Sequence, residues 1–249
     1  LRDDYEISHD RITITGAPNF DFYAQEEFQE SREAFCARYQ LEPGRPIILY
    51  GGVTPGLMPN DDKVCGAILA AIRAGTLPRQ VQVLVRAHPK DPGNRWPVLQ
   101  KTYPKLRICM PNDKNGDARY WAPDHARLLD QVSCVRHGDV HVNCGSTLTV
   151  DASIVGRPVV NIAYDPIDPI TSKMVAAYYT YPHLQTVVDT RASKLVYSDE
   201  QLIAAVGNYL RDPSIDAEGR ERITRLQTGV CDGKAATRLS LIHISEPTR

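Results

Sequence analysis

The chain has 249 residues, 42% of them hydrophobic and 24% charged, a balance that suits a soluble globular protein with a normal core and excludes wholesale disorder. Lysine and arginine number 29 against 30 acidic residues, so a net charge of -1 leaves no electrostatic footprint for a nucleic-acid partner. No apolar run reaches the roughly 20 residues that a membrane span needs, and the six cysteines lack any C-x-x-C spacing, which fits reduced thiols in a cytoplasmic protein.

Residues 1–30 start without an initiator Met or a secretory segment and read as a connector from an absent N-terminal domain, with 11–18 predicted as an isolated strand. A short helix is expected from Ser31, with Glu33 in its first turn, and Pro43-Gly44 forms the loop into the next strand. From there strand-like and helix-like stretches alternate. Strands are predicted at 46–50, 81–86, 106–110, 139–143, 158–163 and 194–197, each short and β-branched or apolar. Helices are predicted at 61–74, 96–102, 124–135, 146–155 and 199–210, where apolar residues recur at spacings of three and four. The alternation predicts an α/β, Rossmann-like parallel sheet with helices on both faces, filling one domain over 31–238.

Two polar helical pieces follow, 215–226 and one from Lys234 onward. The last stretch, 239–249, resembles a peptide produced by translating sequencing-adapter DNA, and it is expected to be a non-native tail that contributes nothing to the core.

In an open parallel sheet, ligands bind beyond the carboxyl ends of the strands, where the strand order reverses. The first predicted strand ends in Gly51-Gly52, the second in Arg86-Ala87-His88-Pro89, the fourth in Asn143-Cys144-Gly145-Ser146-Thr147 and the fifth in Tyr164-Asp165. Gly145-Ser146-Thr147 opens a predicted helix, whose N–H groups and dipole form a ready anion site; the same residues also serve as an ordinary N-cap. Asp151 lies one turn further on the same face, placed to accept a ligand hydroxyl or to balance the dipole. His88 precedes a proline that keeps the backbone extended, and it reads either as a ligand contact or as a structural hydrogen-bonder. Cys134, His137, His141 and Cys144 have the residue types of a zinc site, but His141 and Cys144 stand three apart on a strand and face opposite ways, so neither a metal nor a cofactor is expected. The glycine-rich fingerprints of nicotinamide enzymes and P-loop nucleotidases are absent.

Ser146-Thr147-Leu148-Thr149-Val150-Asp151, followed by Gly156-Arg157-Pro158 and the run to Tyr164-Asp165, resembles the donor-site motif of GT-B glycosyltransferases related to the CDP-glycerol glycerophosphotransferases. Arg86-Ala87-His88-Pro89 resembles that family's upstream basic-x-His-Pro motif. Residues 15–21 resemble its crossing strand and 232–238 its closing helix. The resemblance implies the C-terminal, donor-binding half of a GT-B fold, in which Ser146, Thr147 and His88 contact a donor diphosphate and Asp151 orients them or a donor hydroxyl. Gly51, Gly52, Arg86 and Gly145 complete the expected donor site. Asn143-Cys144-Gly145 stands where the glycerophosphotransferases have Asp-Tyr-Ser, which favours a nucleotide-sugar donor over CDP-glycerol. A UDP-sugar 2-epimerase fragment and a non-catalytic flavodoxin-like binding domain are the alternatives. The acceptor, whether glycan, lipid or small molecule, would be held by the missing N-terminal domain, and peripheral membrane association of the full-length protein is left open.

Overall fold

The computed structural model describes residues 12–110 and 124–245. Its centre is a six-stranded sheet of β1 (Ile47–Gly51), β2 (Gln82–Arg86), β3 (Arg107–Cys109), β4 (Val140–Asn143), β5 (Val159–Ile162) and β6 (Lys194–Val196). All pairings are parallel, and the order is β3-β2-β1-β4-β5-β6. This is the doubly wound, Rossmann-like arrangement, and five of the strands lie within the spans that the residue pattern predicts, while β1 runs one residue further, to Gly51.

Burial explains why the strands lack a polar face. Ile48, Tyr50, Val83 and Val85 pack against α2 (Asp61–Ala74) and α8 (Asp199–Arg211) through Val64, Ile68, Leu202 and Val206. Ile47, Leu49 and Leu84 point the other way, onto Phe35 and Cys36 of α1 (Arg32–Tyr39) and Cys134 of α4 (His125–His137). A sheet covered on both sides needs apolar residues at consecutive positions, as these strands have. Side-chain caps set several helix starts: Ser31 accepts from Ala34 N–H, Asp124 from Arg127 N–H, and Ser198 from Gln201 N–H. α3 spans Arg95–Thr102 and α5 spans Leu148–Ile154.

Two stretches differ from expectation. Residues 12–17 form no strand; Pro18 fixes the backbone into a 3-10 turn over Pro18–Tyr23, and with no neighbouring strand the residues before it have no ladder to join. The segment is nevertheless docked, because Phe20, Tyr23 and Phe28 are buried beside Val132, Val135 and Val150. Between β5 and β6 two further helices appear, α6 (Pro169–Tyr178) and α7 (Pro182–Thr190). Both carry proline in the first turn, and Asp168 caps α6 by accepting from Ile170 and Thr171 N–H.

α9 (Ala217–Thr228) and α10 (Ala235–Ser245) close the chain. The start of α10 is tied to the N-terminal segment through Asp21, whose carboxylate accepts from Ala235 and Ala236 N–H at 3.1 and 3.0 Å. The helix runs without a break past residue 238 into the stretch read as a non-native tail, where Leu239 and Leu241 are exposed. Residues 1–11 and 246–249 of the connector and tail lie outside the described residues. Among the described residues no helix is long and apolar enough to cross a membrane.

Gly219 lets α9 approach the end of α7, since a β-carbon there would sit 2.1 Å from the Arg191 carbonyl oxygen. Gly219→Ala must therefore displace backbone, and a loss of about 1–3 kcal/mol is expected in denaturant unfolding. Unchanged stability would show that α9 packs elsewhere.

Candidate functional site

β1 and β4 are neighbours, with Tyr50 beside Val142, yet the chain leaves β1 toward one face of the sheet and β4 toward the other. Their carboxyl ends part at this reversal and leave a crevice of about 350 Å³. Gly51, Gly52, Arg86, His88, Ser146, Thr147 and Asp151 all line it, together with Lys90, Gln131 and Leu148. Gly145 is not among the lining residues.

The glycines answer to packing. A β-carbon on Gly51 would meet Leu148 Cδ2 at 2.6 Å, and one on Gly52 would meet Trp96 Cζ2 at 2.9 Å. Gly145 has a φ of +49°, presses against the Tyr178 ring and donates its N–H to the Tyr179 hydroxyl at 2.8 Å. That N–H is consequently not offered to the crevice. Ser146 N–H donates to Asn143 Oδ1 at 3.3 Å, and Leu148 N–H to Ser146 Oγ at 3.2 Å. The expected three-residue cradle thus reduces to the Thr147 N–H, which finds no acceptor among the described residues, with the Ser146 and Thr147 hydroxyls beside it. α5 begins at Leu148, two residues later than the pattern suggests, with Thr147 at its N-cap and the Ser146 hydroxyl accepting the Leu148 N–H ahead of it.

His88 is half-buried, and its Nδ1 accepts the Lys90 N–H at 3.0 Å. In the neutral ring the proton then sits on Nε2, which becomes a donor. Burial, together with the Lys90 and Arg95 charges, lowers the His88 pKa and keeps the ring neutral near pH 7. The exposed Lys90 ammonium makes no ion pair among the described residues and adds positive charge at the crevice mouth. Arg86 is committed elsewhere: its guanidinium bonds Asp130 Oδ2 at 2.7 Å and Cys109 Sγ at 3.2 Å. It acts at the crevice as a matched ion pair.

Asp151 is buried at the crevice wall. Burial raises its pKa to about 7, offset in part by the Tyr23 hydroxyl and the Arg86 charge. The Tyr23 hydroxyl is itself buried, and Asp151 is the charged group it faces. The walls are stitched by buried carboxylates. Asp61 accepts from Tyr50 Oη at 2.5 Å and Val53 N–H at 2.8 Å; Asp91 accepts from Arg95 and Trp96; Arg95 reaches back to the Met58 carbonyl at 3.0 Å. Asp165, at the end of the fifth predicted strand, accepts from Asn60 Nδ2 and from Ile167 and Asp168 N–H, and so braces the loop after β1.

The four residues with zinc-ligand chemistry have separate partners: His137 Nε2 meets the Glu30 carbonyl and His141 Nε2 the Val135 carbonyl. Cys134 instead joins Cys109 and Asp130, with donor atoms within 4.8 Å of one another, and Arg86 supplies the cation of that group. Sequence reasoning missed Lys90, Gln131 and Tyr23. Lys90 was in plain view two residues beyond His88; Tyr23 carries no local signal, since it reaches the site only through tertiary packing.

No protein-family model matches the chain, and no curated protein does. Solved structures do match. A variant of the wall teichoic acid polymerase TagF has a TM-score of 0.60 at 16% identity, covering 98% of this chain and 54% of the polymerase. The UDP-GlcNAc 2-epimerase from Neisseria meningitidis, bound to UDP-GlcNAc, has a TM-score of 0.58 at 12% identity, over 97% and 56% of the two chains. A glycosyltransferase from Rickettsia africae has 0.53 at 14%, over 100% and 61%. At these identities the likeness is one of fold, and this chain spans little more than half the length of the proteins it matches.

Asp151 gives a pH prediction. Its folded-state pKa of about 7 lies above the ordinary 3.8, so the fold binds the extra proton, and stability falls as pH rises through that window and levels off above it. Asp151→Asn should melt higher than the parent at about pH 8, with the difference vanishing toward about pH 4. A difference that grows toward low pH would reverse the assignment.

Proposed function

We propose that this chain is the donor-binding half of a glycosyltransferase that moves a sugar from a nucleoside diphosphate sugar to an acceptor held by a second, N-terminal domain. The observation that carries the proposal is the convergence of His88, Ser146, Thr147 and Asp151 on one crevice at the sheet's switch point. A flavodoxin-like domain whose polar strand ends were mere caps would scatter them. The likeness in fold to glycosyltransferases and to an epimerase with UDP-GlcNAc bound supports a nucleotide sugar as the ligand.

The chemistry follows from the donors. A departing nucleoside diphosphate gains negative charge on its β-phosphate, and fixed donors aimed at that charge stabilise the transition state more than the ground state. His88 Nε2–H, the Thr147 N–H and the two hydroxyls are such donors, and Lys90 adds charge without a metal in the scheme. Asp151, close to half-protonated near neutral pH, can donate to or accept from a donor hydroxyl. No group in this half is assigned as the base that activates the acceptor. The UDP-sugar 2-epimerase reading draws on the same crevice and differs in needing no acceptor.

Two measurements bear on this. His88→Ala and Ser146→Ala should each weaken UDP binding in calorimetry by about 1–3 kcal/mol, the worth of a hydrogen bond to a charged group. Unchanged affinity in both variants would remove the diphosphate from this crevice. The chain alone should bind UDP-sugar yet transfer nothing to any acceptor, since positioning the acceptor and excluding water need the second wall of a cleft. Turnover by this chain alone would contradict the half-site assignment.

A further inference from the structure

A second cavity, of about 500 Å³, opens at the opposite end of the sheet, where β2 and β3 begin. Its floor is apolar: Leu41, Leu69, Val81 and Val83 are buried, and Ile72 and Tyr103 are partly so. Its rim is cationic. Arg45, Arg73, Arg79, Lys105 and Arg107 line it against a single acid, Glu42, which is paired with Arg45 at 2.7 Å. Over the whole chain the two signs are nearly balanced, 29 against 30, so this is a local separation of charge.

The cations are not all accounted for by the fold. Arg107 bonds the Gln40 and Pro104 carbonyls and holds the rim in place. Arg73 lies in the last turn of α2, where a cation complements the helix dipole, but its guanidinium rests over the Tyr103 ring, 5.1 Å from the centroid. Arg79 and Lys105 sit in loops and are exposed, and neither they nor Arg73 make a salt bridge among the described residues. An apolar trough ringed by uncompensated positive charge is complementary to a molecule with one alkyl tail and one anionic head.

We propose that this cavity binds a single-chain anionic amphiphile, its tail along Leu41, Leu69, Ile72 and Val83 and its head at Arg73, Arg79 and Lys105. The site lies at the other end of the strands from the crevice, so it stands or falls independently of the nucleotide-sugar reading.

Dodecyl phosphate, titrated onto the whole chain below its micelle concentration, is the probe. It should bind at one site, and decyl phosphate should bind more weakly by about two- to fourfold per methylene removed. Arg73→Glu combined with Arg79→Glu should weaken it by at least about tenfold, as the loss of charged contacts requires. Both substituted residues are exposed, and circular dichroism verifies the fold; Lys105→Glu, tested alone, should weaken binding in the same direction. UDP affinity should be unchanged in the double variant. Three results would each overturn the proposal: no saturable binding of dodecyl phosphate, equal binding of neutral dodecyl maltoside, or full displacement by inorganic phosphate at equal concentration, which would mark a plain anion patch.

Discussion

The crevice depends on a buried ionic network. Asp61 is fully enclosed, yet it holds the Tyr50 hydroxyl and the Val53 N–H, while Arg95 bridges from Asp91 to the loop after β1 with its Nη2 3.5 Å from Asp61. Two loops that leave different strands are thereby fixed to one another. Removing one partner from such a network costs about 3–5 kcal/mol, because a charge is left buried and uncompensated. Asp61 also shows the tension in the arrangement: burial raises its pKa to about 6, against the bonds from Tyr50 and Val53. The same bonds tie the start of α2 to β1 and to the loop that follows it. Trp96, anchored by Asp91, fills the space behind Gly52.

With those walls fixed, the parallel sheet does the rest. Its strand order places the ends of β1 and β4 side by side, and the crossing of the chain to opposite faces leaves a gap that no side chain fills. Donors then reach the gap from two strands, His88 after β2 and Thr147 after β4, while Gly52 after β1 lines it with its N–H turned onto the Arg86 carbonyl at 2.8 Å. A site assembled this way is preorganised for a negative ligand, because its donors are held by hydrogen bonds to protein and need little rearrangement on binding. The helix N-terminus contributes less than its sequence suggests. Gly145, Ser146 and Leu148 use their N–H groups internally, so under the proposed nucleotide-sugar reading more of the electrostatic work falls to His88 and Lys90.

Much of this was legible in the residues. Consecutive apolar positions bounded by Gly and Pro located all six strands, since burial on both faces leaves a pattern that local context cannot disguise. Alternation predicted a parallel sheet and put His88, Ser146 and Asp151 at strand ends, and the observed strand order brings them to one crevice. Other features were hidden for physical reasons. α6 and α7 are short, and their signals were an Asp-Pro and a Tyr-Pro that also read as turns. The segment ahead of Pro18 alternates like a strand, but alternation specifies a strand only where a partner edge exists. Cys109, Asp130 and Cys134 meet because β3 and α4 stack, and only the four-residue spacing of Asp130 and Cys134 was visible beforehand.

Backbone amide shifts on titration with UDP test most directly whether the switch-point crevice is the nucleotide site. Saturable shifts confined to residues 51–52, 86–91 and 145–151 are the expected result, with little change at 40–45 and 102–107 at the far end of the sheet. Shifts centred on that far end, or none at all at concentrations that saturate a weak site, would contradict it.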